Sequence, residues 1–240
     1  MTIIIIPCFN EEKRILKTLQ SIKNGQIENI SFLFVDDGSV DRTASIISSF
    51  LSDKISLLRL KKNLGKGFAI KRGFEYLKTK GCSESYASFG YMDADLPITL
   101  SELNLMISKV ASSSRDMVYA CRREGKLRVK RRFGRGSISL FFGFAVKKLF
   151  SLNVSDTQCG VKVFNRTVME ILRGRKFLSD WLFDLELFLY ISNQALLFEG
   201  HFVSEWQETR DGKFKPLVSF HSLFFQFIKI YYGYKNNQYN

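Results

Sequence analysis

Short apolar runs alternate with amphipathic stretches along the first half of the chain. Apolar runs at 3–7, 31–36, 55–60, 86–93 and 116–120 predict strands. Between them, apolar residues at helical spacing predict helices at about 11–22, from a cap at Ser39 or Asp41 to about 51, at 67–80 and at 100–111. This alternation is typical of βα units. The pattern therefore predicts an α/β fold with a mainly parallel sheet flanked by helices.

The second half of the chain has a different pattern. Residues 122–135 are rich in Lys and Arg, and the segments 138–152 and 217–234 are rich in Phe, Leu, Ile and Tyr with Lys among them. A basic face next to an aromatic helix is typical of interfacial membrane contact, and the second segment is short for a membrane span. We expect two amphipathic helices that lie on a bilayer. The alternative is that both are buried core helices.

Composition narrows the class of protein. The chain has 240 residues, 36 Lys and Arg against 23 Asp and Glu, and therefore a formal net charge of +13. This length fits one large domain, and the average apolar content argues against disorder and against a polytopic membrane protein. The charge favours a polyanionic partner, which includes nucleic acid, anionic lipid and phosphorylated substrates. The 23 Phe and 9 Tyr residues make lipid a candidate beside nucleic acid.

The cysteines and the amino terminus indicate a reducing compartment. The four cysteines, which lie far apart and form no CxxC pair, are Cys8, Cys82, Cys121 and Cys159. Because the chain has only two His residues to complete a metal site, structural zinc is not expected. The first apolar run is followed at once by Pro7 and charged residues, which does not resemble a signal peptide. We therefore expect a cytoplasmic protein.

Chemically reactive residues follow the predicted strands at their carboxyl ends, where open α/β sheets bind ligands. Asp93 and Asp95 end one apolar strand in a DxD arrangement, whose hard oxygen ligands suit Mg²⁺ or Mn²⁺ bridging a diphosphate. The alternative for an isolated DxD is a capped turn. The sequence VDDGSVDRT at 35–43 packs three carboxylates after another strand, which can accept hydrogen bonds from a nucleobase or ribose. An ordinary capped turn explains that loop equally well.

Four motifs in order resemble the family 2 glycosyltransferases of the GT-A fold. They are PCFNE at 7–11, VDDGSVDRT at 35–43, NLGKGFA at 63–69 and MDADL at 92–96. The resemblance implies a Rossmann-like sheet, a nucleotide-sugar site in the first half, and Asp93 and Asp95 on Mg²⁺ or Mn²⁺. It implies a set of residues around the donor: Pro7, Phe9, Glu11, Asp36, Asp37, Lys66, Asp93 and Ala94.

Two further motifs resemble the polyprenyl-phosphate branch of that family. DTQCGVKVF at 156–164 and WLFDLEL at 181–187 look like the dolichyl-phosphate β-glucosyltransferases. The related mannose synthases share the layout, and their basic loop resembles RDGKFK at 210–215. The resemblance implies that Arg210, Lys213 and Lys215 contact the donor diphosphate. Pro97 stands where the mannose synthases carry a Gln metal ligand, and Ala120 and Cys121 replace their Gly and Ser.

A polyprenyl phosphate acceptor explains the basic residues of the second half. Its dianion is a competent nucleophile near neutral pH, so no general base is required. The site must instead hold two anions together, for which Arg is suited. The candidates for the acceptor phosphate, with Arg122 also counted as catalytic, are Arg122, Arg131, Arg132, Arg135 and Ser139.

The sequence thus predicts an inverting, metal-dependent transferase that moves glucose from UDP-glucose to a polyprenyl or dolichyl phosphate and gives a β-linked product. We expect a catalytic domain at 1–215, divided into a donor half at 1–120 and an acceptor half at 121–215, and an amphipathic segment at 216–240. Peripheral contact with the cytosolic face of a membrane follows, and a nucleic-acid partner is not expected.

Other activities remain open. A transferase acting on a saccharide or protein hydroxyl would need a carboxylate base, for which Asp184 is the candidate. A GDP-mannose-dependent synthase shares the layout. A nucleotidyltransferase lacks a Gly-rich, basic phosphate loop near the amino terminus, and a basic nucleic-acid-binding protein leaves the DxD motif unexplained.

Overall fold

The computed structural model describes residues 1–25, 27–112, 115–121, 143, 145–179, 182–204 and 216–239, with the backbone alone for 216–222. The strands are β1 (Thr2–Cys8), β2 (Ile30–Asp36), β3 (Ile55–Arg59), β4 (Ser88–Met92), β5 (Met117–Cys121), β6 (Val161–Phe164) and β7 (Phe198–Phe202). The helices are α1 (Ile15–Asn24), α2 (Thr43–Ser48), α3 (Lys66–Thr79), α4 (Leu100–Ser112), α5 (Arg166–Gly174), α6 (Phe183–Asn193) and α7 (Pro216–Lys235).

The strands form one mixed sheet in the order β3-β2-β1-β4-β6-β5-β7. β6 runs antiparallel to both of its neighbours, and every other pairing is parallel. The predicted α/β class with a mainly parallel sheet is confirmed. Because β1, β2, β4, β5 and β7 point the same way, their carboxyl ends meet at one edge of the sheet, which we call the carboxyl edge.

The sheet separates two apolar layers. In β1 the four isoleucines at 3–6 are all buried, and they alternate between the layers because successive side chains of a strand point to opposite faces. Ile3 and Ile5 pack with α3, α5 and α6, whereas Ile4 and Ile6 pack with α1 and α4. Helices on both faces explain why the strand reads as a continuous apolar run.

Two predicted helices begin or end elsewhere. α1 was expected from about 11 but begins at Ile15, because Glu11 to Arg14 form a turn that is tied to the neighbouring loop. The Glu11 N–H donates to Thr43 Oγ1 at 2.7 Å. α2 ends at Ser48 rather than near 51, where the Ser48 and Ser49 hydroxyls donate to carbonyls of the helix itself. Its N-cap residue is Arg42 rather than Ser39 or Asp41, although Asp41 Oδ1 accepts from the Thr43 N–H at 2.9 Å.

The carboxy-terminal helix α7 is partly core and partly surface. Ile230 is fully buried, and Phe227, Tyr231 and Tyr234 make edge contacts with the ring of Phe150. Its other face exposes three aromatic side chains: Phe224 (53%), Phe225 (66%) and Tyr232 (63%). The core interpretation therefore holds for one face of this helix, and interfacial contact of the other face stays a prediction. Within the described part of the chain, no helix is long and apolar enough to cross a membrane.

Candidate active site at the carboxyl edge of the sheet

The loop after β2 is organised by two buried aspartates. Asp36 is fully buried, and its carboxylate accepts from the Ser39 N–H at 3.0 Å and from Arg59 Nε at 3.2 Å. Asp37, also buried, accepts from the N–H groups of Leu64 and Gly65, so it holds this loop to the NLGKG segment. The structure thus places both predicted nucleoside ligands at the carboxyl edge, where their carboxylates shape the loops.

The first motif lies beside this loop. Pro7 belongs to β1, and Phe9 follows the strand; both are half-buried. Glu11 is buried and forms a bidentate ion pair with Arg14, in which both N–O distances are 2.7 Å. The Asn10 N–H donates to Ser39 Oγ at 2.9 Å. The PCFNE and VDDGSVDRT motifs are therefore joined to each other at the carboxyl edge.

The DxD motif follows β4 at the same edge. Asp93 donates its N–H to the Gly160 carbonyl at 2.9 Å, and its carboxylate lies directly over Gly160. A Cβ atom at position 160 would stand 1.8 Å from Asp93 Oδ2, so only glycine leaves room for this carboxylate. Ala94 is buried and its carbonyl accepts from Thr18 Oγ1, while Asp95 is partly exposed. The side chain of Asp93 is 39% exposed and so remains accessible.

A lysine from the NLGKG segment reaches the DxD motif. Lys66, the first residue of α3, places Nζ 2.6 Å from Asp93 Oδ1 and 3.8 Å from Asp184 Oδ2. Burial disfavours the charged ammonium, but the two carboxylates outweigh it and raise the pKa of Lys66 above its usual value. Lys66 is therefore a cation held between two carboxylates.

Asp184 lies beneath this exposed pair, in the first turn of α6. Its Oδ1 accepts from the Tyr91 hydroxyl and from Lys162 Nζ, both at 2.5 Å. Lys162 is fully buried in β6 and also donates to the carbonyls of Thr157 and Cys159. Burial, followed by the charge of Asp184, raises the pKa of Tyr91 well above its usual value, which keeps its phenol a neutral donor.

Lys162 and Tyr91 are members of the site that the sequence analysis missed. They are direct partners in the pairing of β4 with β6, so their side chains stand on the same face of the sheet. A signal was present in the sequence: Lys162 is a lone charge in the apolar run VKVF, and a lysine inside a strand core requires a carboxylate partner.

The predicted phosphate-binding residues of the second half lie outside the described residues. These are Arg122, Arg131, Arg132, Arg135, Ser139, Arg210, Lys213 and Lys215. The strands that precede them are described: Cys121 at the end of β5 pairs with Phe202 at the end of β7. The chain therefore leaves the sheet toward both basic segments at the carboxyl edge, the edge that carries Asp93.

The residues at the DxD motif fit a hard divalent cation. Asp93 and Asp95 would supply carboxylate oxygens to such an ion, and the space over Gly160 accommodates the Asp93 carboxylate. Among the described residues, no group of three or more His, Cys, Asp and Glu side chains could hold a metal ion. Two carboxylates leave several coordination positions for water and for oxygens of a bound diphosphate.

The comparison with known families gives the class of protein. The model of glycosyl transferase family 2 matches residues 3–172, so the chain belongs to that family and is a glycosyltransferase. The chain is 28% identical over 234 residues to dolichyl-phosphate β-glucosyltransferase of Dictyostelium discoideum, covering 90% of this chain and 69% of the relative. The human protein of the same name is 27% identical over 235 residues, covering 90% and 70%.

Solved structures support the GT-A fold. Glucosyl-3-phosphoglycerate synthase of Mycobacterium tuberculosis, in complex with Mn²⁺, UDP and phosphoglyceric acid, gives a TM-score of 0.69 at 13% identity, covering 93% of this chain and 74% of that one. A complex of the same synthase with Mn²⁺, UDP-glucose and phosphoglyceric acid gives a TM-score of 0.66 at 15% identity, covering 93% and 75%. The predicted GT-A fold is therefore confirmed.

Proposed function

We propose that this chain transfers glucose from UDP-glucose to a polyprenyl phosphate, such as dolichyl phosphate, with inversion at the anomeric carbon. The observation that carries the proposal is the row of alternating charges formed by Asp93, Lys66, Asp184 and Lys162. Asp93 is accessible to a metal ion, and Lys66 is accessible to a diphosphate. Beneath them, Asp184 Oδ1 already accepts hydrogen bonds from Tyr91 and Lys162. The relatives named dolichyl-phosphate β-glucosyltransferase support the sugar and the acceptor.

The donor would bind along the carboxyl edge. The nucleoside would lie against the wall of Phe9, Glu11 and the loop after β2, and its diphosphate would extend toward Asp93 and Lys66. Arg210, Lys213 and Lys215 would add positive charge to the leaving UDP. Opposite charges placed where the diphosphate charge increases stabilise the transition state more than the ground state.

A divalent cation, Mg²⁺ or Mn²⁺, would be held by Asp93 and Asp95. When bound, it would neutralise the charge that develops on the leaving diphosphate. Solved complexes of the structurally similar synthase contain Mn²⁺ or Mg²⁺ with UDP, which supports this assignment.

A phosphate acceptor agrees with the state of Asp184. A polyprenyl phosphate dianion can attack the anomeric carbon without losing a proton, since its second pKa lies near about 6. A hydroxyl acceptor needs a general base, and Asp184 is 2% exposed, with two donors on Oδ1. The acceptor phosphate would be bound by Arg122, Arg131, Arg132, Arg135 and Ser139.

The acceptor lipid requires a membrane, and α7 offers a face for it. Phe224, Phe225 and Tyr232 are exposed on this helix, and its last turn carries Lys235. Aromatic side chains beside lysine, in a chain of net charge +13, favour an anionic membrane surface. We therefore propose peripheral association with the cytosolic face of a membrane.

The test is transfer of radiolabel from UDP-glucose, and in parallel from GDP-mannose, to polyprenyl phosphate in detergent with Mg²⁺, followed by organic extraction. Label from UDP-glucose in the organic phase, with a β linkage by NMR, supports the proposal. Label from GDP-mannose alone would identify a mannose synthase instead. An α-linked product would contradict inversion.

One observation favours a second candidate, a transferase that acts on a sugar or protein hydroxyl. Asp184 Oδ2 lies 3.8 Å from Lys66 Nζ, and Lys66 is the cation proposed to contact the donor diphosphate. Transfer to water-soluble acceptors, with none to polyprenyl phosphate, would favour this candidate. Loss of that transfer in Asp184→Asn at unchanged UDP affinity would then assign the base.

A further inference from the structure

Lys66 occupies the place where a cation would be expected at the DxD motif. Its ammonium lies 2.6 Å from Asp93 Oδ1, closer than to Asp184 Oδ2 at 3.8 Å. Asp93 is one of the two carboxylates that fit a divalent metal ion. The protein therefore carries an internal cation in contact with a metal ligand.

The position of this lysine is fixed by the fold. The N–H groups of Leu64 and Gly65 are held by Asp37, and Gly65 has φ 97°, a backbone conformation that favours glycine. Gly67 packs so closely on Phe183 that an added Cβ would stand 2.9 Å from its ring. The start of α3 is thus fixed against both the loop after β2 and α6, and Lys66 Nζ is directed between the two carboxylates.

The two carboxylates near Lys66 differ in their other ionic contacts and in their exposure. Asp184 is already neutralised by Lys162, with which it forms a fully buried pair at 2.5 Å. Asp93 pairs with Lys66 and is the more exposed of the two carboxylates, 39% against 3%. A divalent ion on Asp93 would lie within a few ångströms of the ammonium, where two cations repel each other. Lys66 and a metal ion at this position would therefore compete for Asp93.

We propose that Lys66 is an internal counter-ion that competes with the divalent cation for Asp93 and is released to the donor diphosphate when the cation binds. The inference rests on the donor and metal sites of the proposed function. The released ammonium gains a new anion only if the nucleotide is present. Binding of metal and of nucleotide is therefore cooperative, and by thermodynamic linkage each tightens the other by the same factor.

The test measures Mn²⁺ affinity by electron paramagnetic resonance of free Mn²⁺, with and without saturating UDP. Lys66→Met removes the competitor. We expect Lys66→Met to bind Mn²⁺ alone about fivefold more tightly than the unchanged protein, the factor of a partly exposed ion pair. The factor by which UDP tightens Mn²⁺ binding should fall by about the same amount, and transfer should weaken because the diphosphate loses a cation.

Three variants serve as controls. Lys66→Gln tests the neutral side chain in a second shape, and Lys66→Arg keeps the charge and should bind Mn²⁺ alone as weakly as the unchanged protein. Lys78→Met, on the exposed end of the same helix, makes the same change in net charge away from the site. Circular dichroism checks that each variant is folded.

The outcomes separate this inference from the proposed function. Equal or weaker Mn²⁺ binding by both Lys66→Met and Lys66→Gln overturns the competition, while the transferase assignment stands if the unchanged protein still binds Mn²⁺ with UDP. Absence of Mn²⁺ binding by the unchanged protein, even with UDP, overturns both the metal site and the inference drawn from it.

Discussion

Lys162 and Asp184 form an ion pair in which neither side chain is more than 3% exposed, with Nζ 2.5 Å from Oδ1. The pair joins β6, which runs antiparallel to both of its neighbours, to the first turn of α6 and lies directly beneath the DxD motif. Lys162 also satisfies two carbonyls of the 157–160 turn, whose Gly160 supports Asp93. A buried charge pair of this kind fixes the geometry of the site at the cost of desolvation.

Removal of one partner of this pair should be strongly destabilising. We expect Lys162→Met to lower the free energy of unfolding by about 3–5 kcal/mol, since Asp184 would remain buried without its cation. The double variant Lys162→Met with Asp184→Leu should recover a large part of that loss, because no isolated charge remains. Urea denaturation measures both, and a loss below about 1 kcal/mol in the single variant would contradict the burial of this charge.

Gly160→Ala should reduce activity with little effect on the stability of the fold. The added methyl would stand 1.8 Å from Asp93 Oδ2, so the carboxylate must move, and its partial exposure gives it room to do so. We expect transfer to fall by about 100-fold, the effect of misplacing a reacting group by about 1 Å, while the free energy of unfolding changes by less than about 1 kcal/mol. Gly174→Ala is the matched control, because an added Cβ meets nothing within 4 Å there. Equal activity in the two variants would show that the position of Asp93 is unimportant.

Stability should decrease from acid to neutral pH through Glu186. This carboxyl group is fully buried, and burial raises its pKa from 4.5 to about 7, against hydrogen bonds from the N–H groups of Leu178 and Ser179 and from the Tyr239 hydroxyl. Because its pKa is raised, Glu186 contributes to the free energy of unfolding fully below about pH 4.5, and this contribution is lost as the pH rises through about 7. The pKa shift corresponds to about 3 kcal/mol of unfolding free energy.

Glu186→Gln, which cannot ionise, should lack this dependence. The difference in unfolding free energy between the variant and the unchanged protein should therefore vary by about 3 kcal/mol between pH 4.5 and 8, measured by urea denaturation. Glu199→Gln is the contrasting control. Lys109 and Arg115 lower the pKa of Glu199, so its contribution is lost as the pH falls. If the difference in unfolding free energy between Glu186→Gln and the unchanged protein does not vary with pH, the pKa of Glu186 is not raised by burial.

The exposed aromatic face of α7 should determine membrane binding. Replacing Phe224 and Phe225 by Ser should reduce binding to vesicles that contain an anionic phospholipid by at least about tenfold, since each inserted Phe contributes about 1.5–3 kcal/mol. Leu105→Ser, on the exposed side of α4 at 54% exposure, should leave vesicle binding unchanged. Sedimentation with vesicles is the measurement. Undiminished binding by the double Phe variant would rule out this face as the contact.

The sequence by itself determined much of the donor half. The apolar runs predicted β1 to β5, and the reactive residues fell at the ends of those strands. A buried parallel strand and an amphipathic helix are local periodic patterns, so they are readable from neighbouring residues. The four motifs identified the family because each is a short, continuous stretch of sequence.

The tertiary structure alone decided which charges meet. Lys162 finds Asp184 and Tyr91 because β6 inserts in reverse between β4 and β5, which sets Tyr91 opposite Lys162. Lys66 reaches Asp93 because α3 begins at a point fixed by Asp37 and Phe183. One face of α7 is core and the other surface because that helix packs on Phe150. Each of these contacts joins residues far apart in the chain, where strand register and helix packing, rather than local periodicity, fix the distance between side chains.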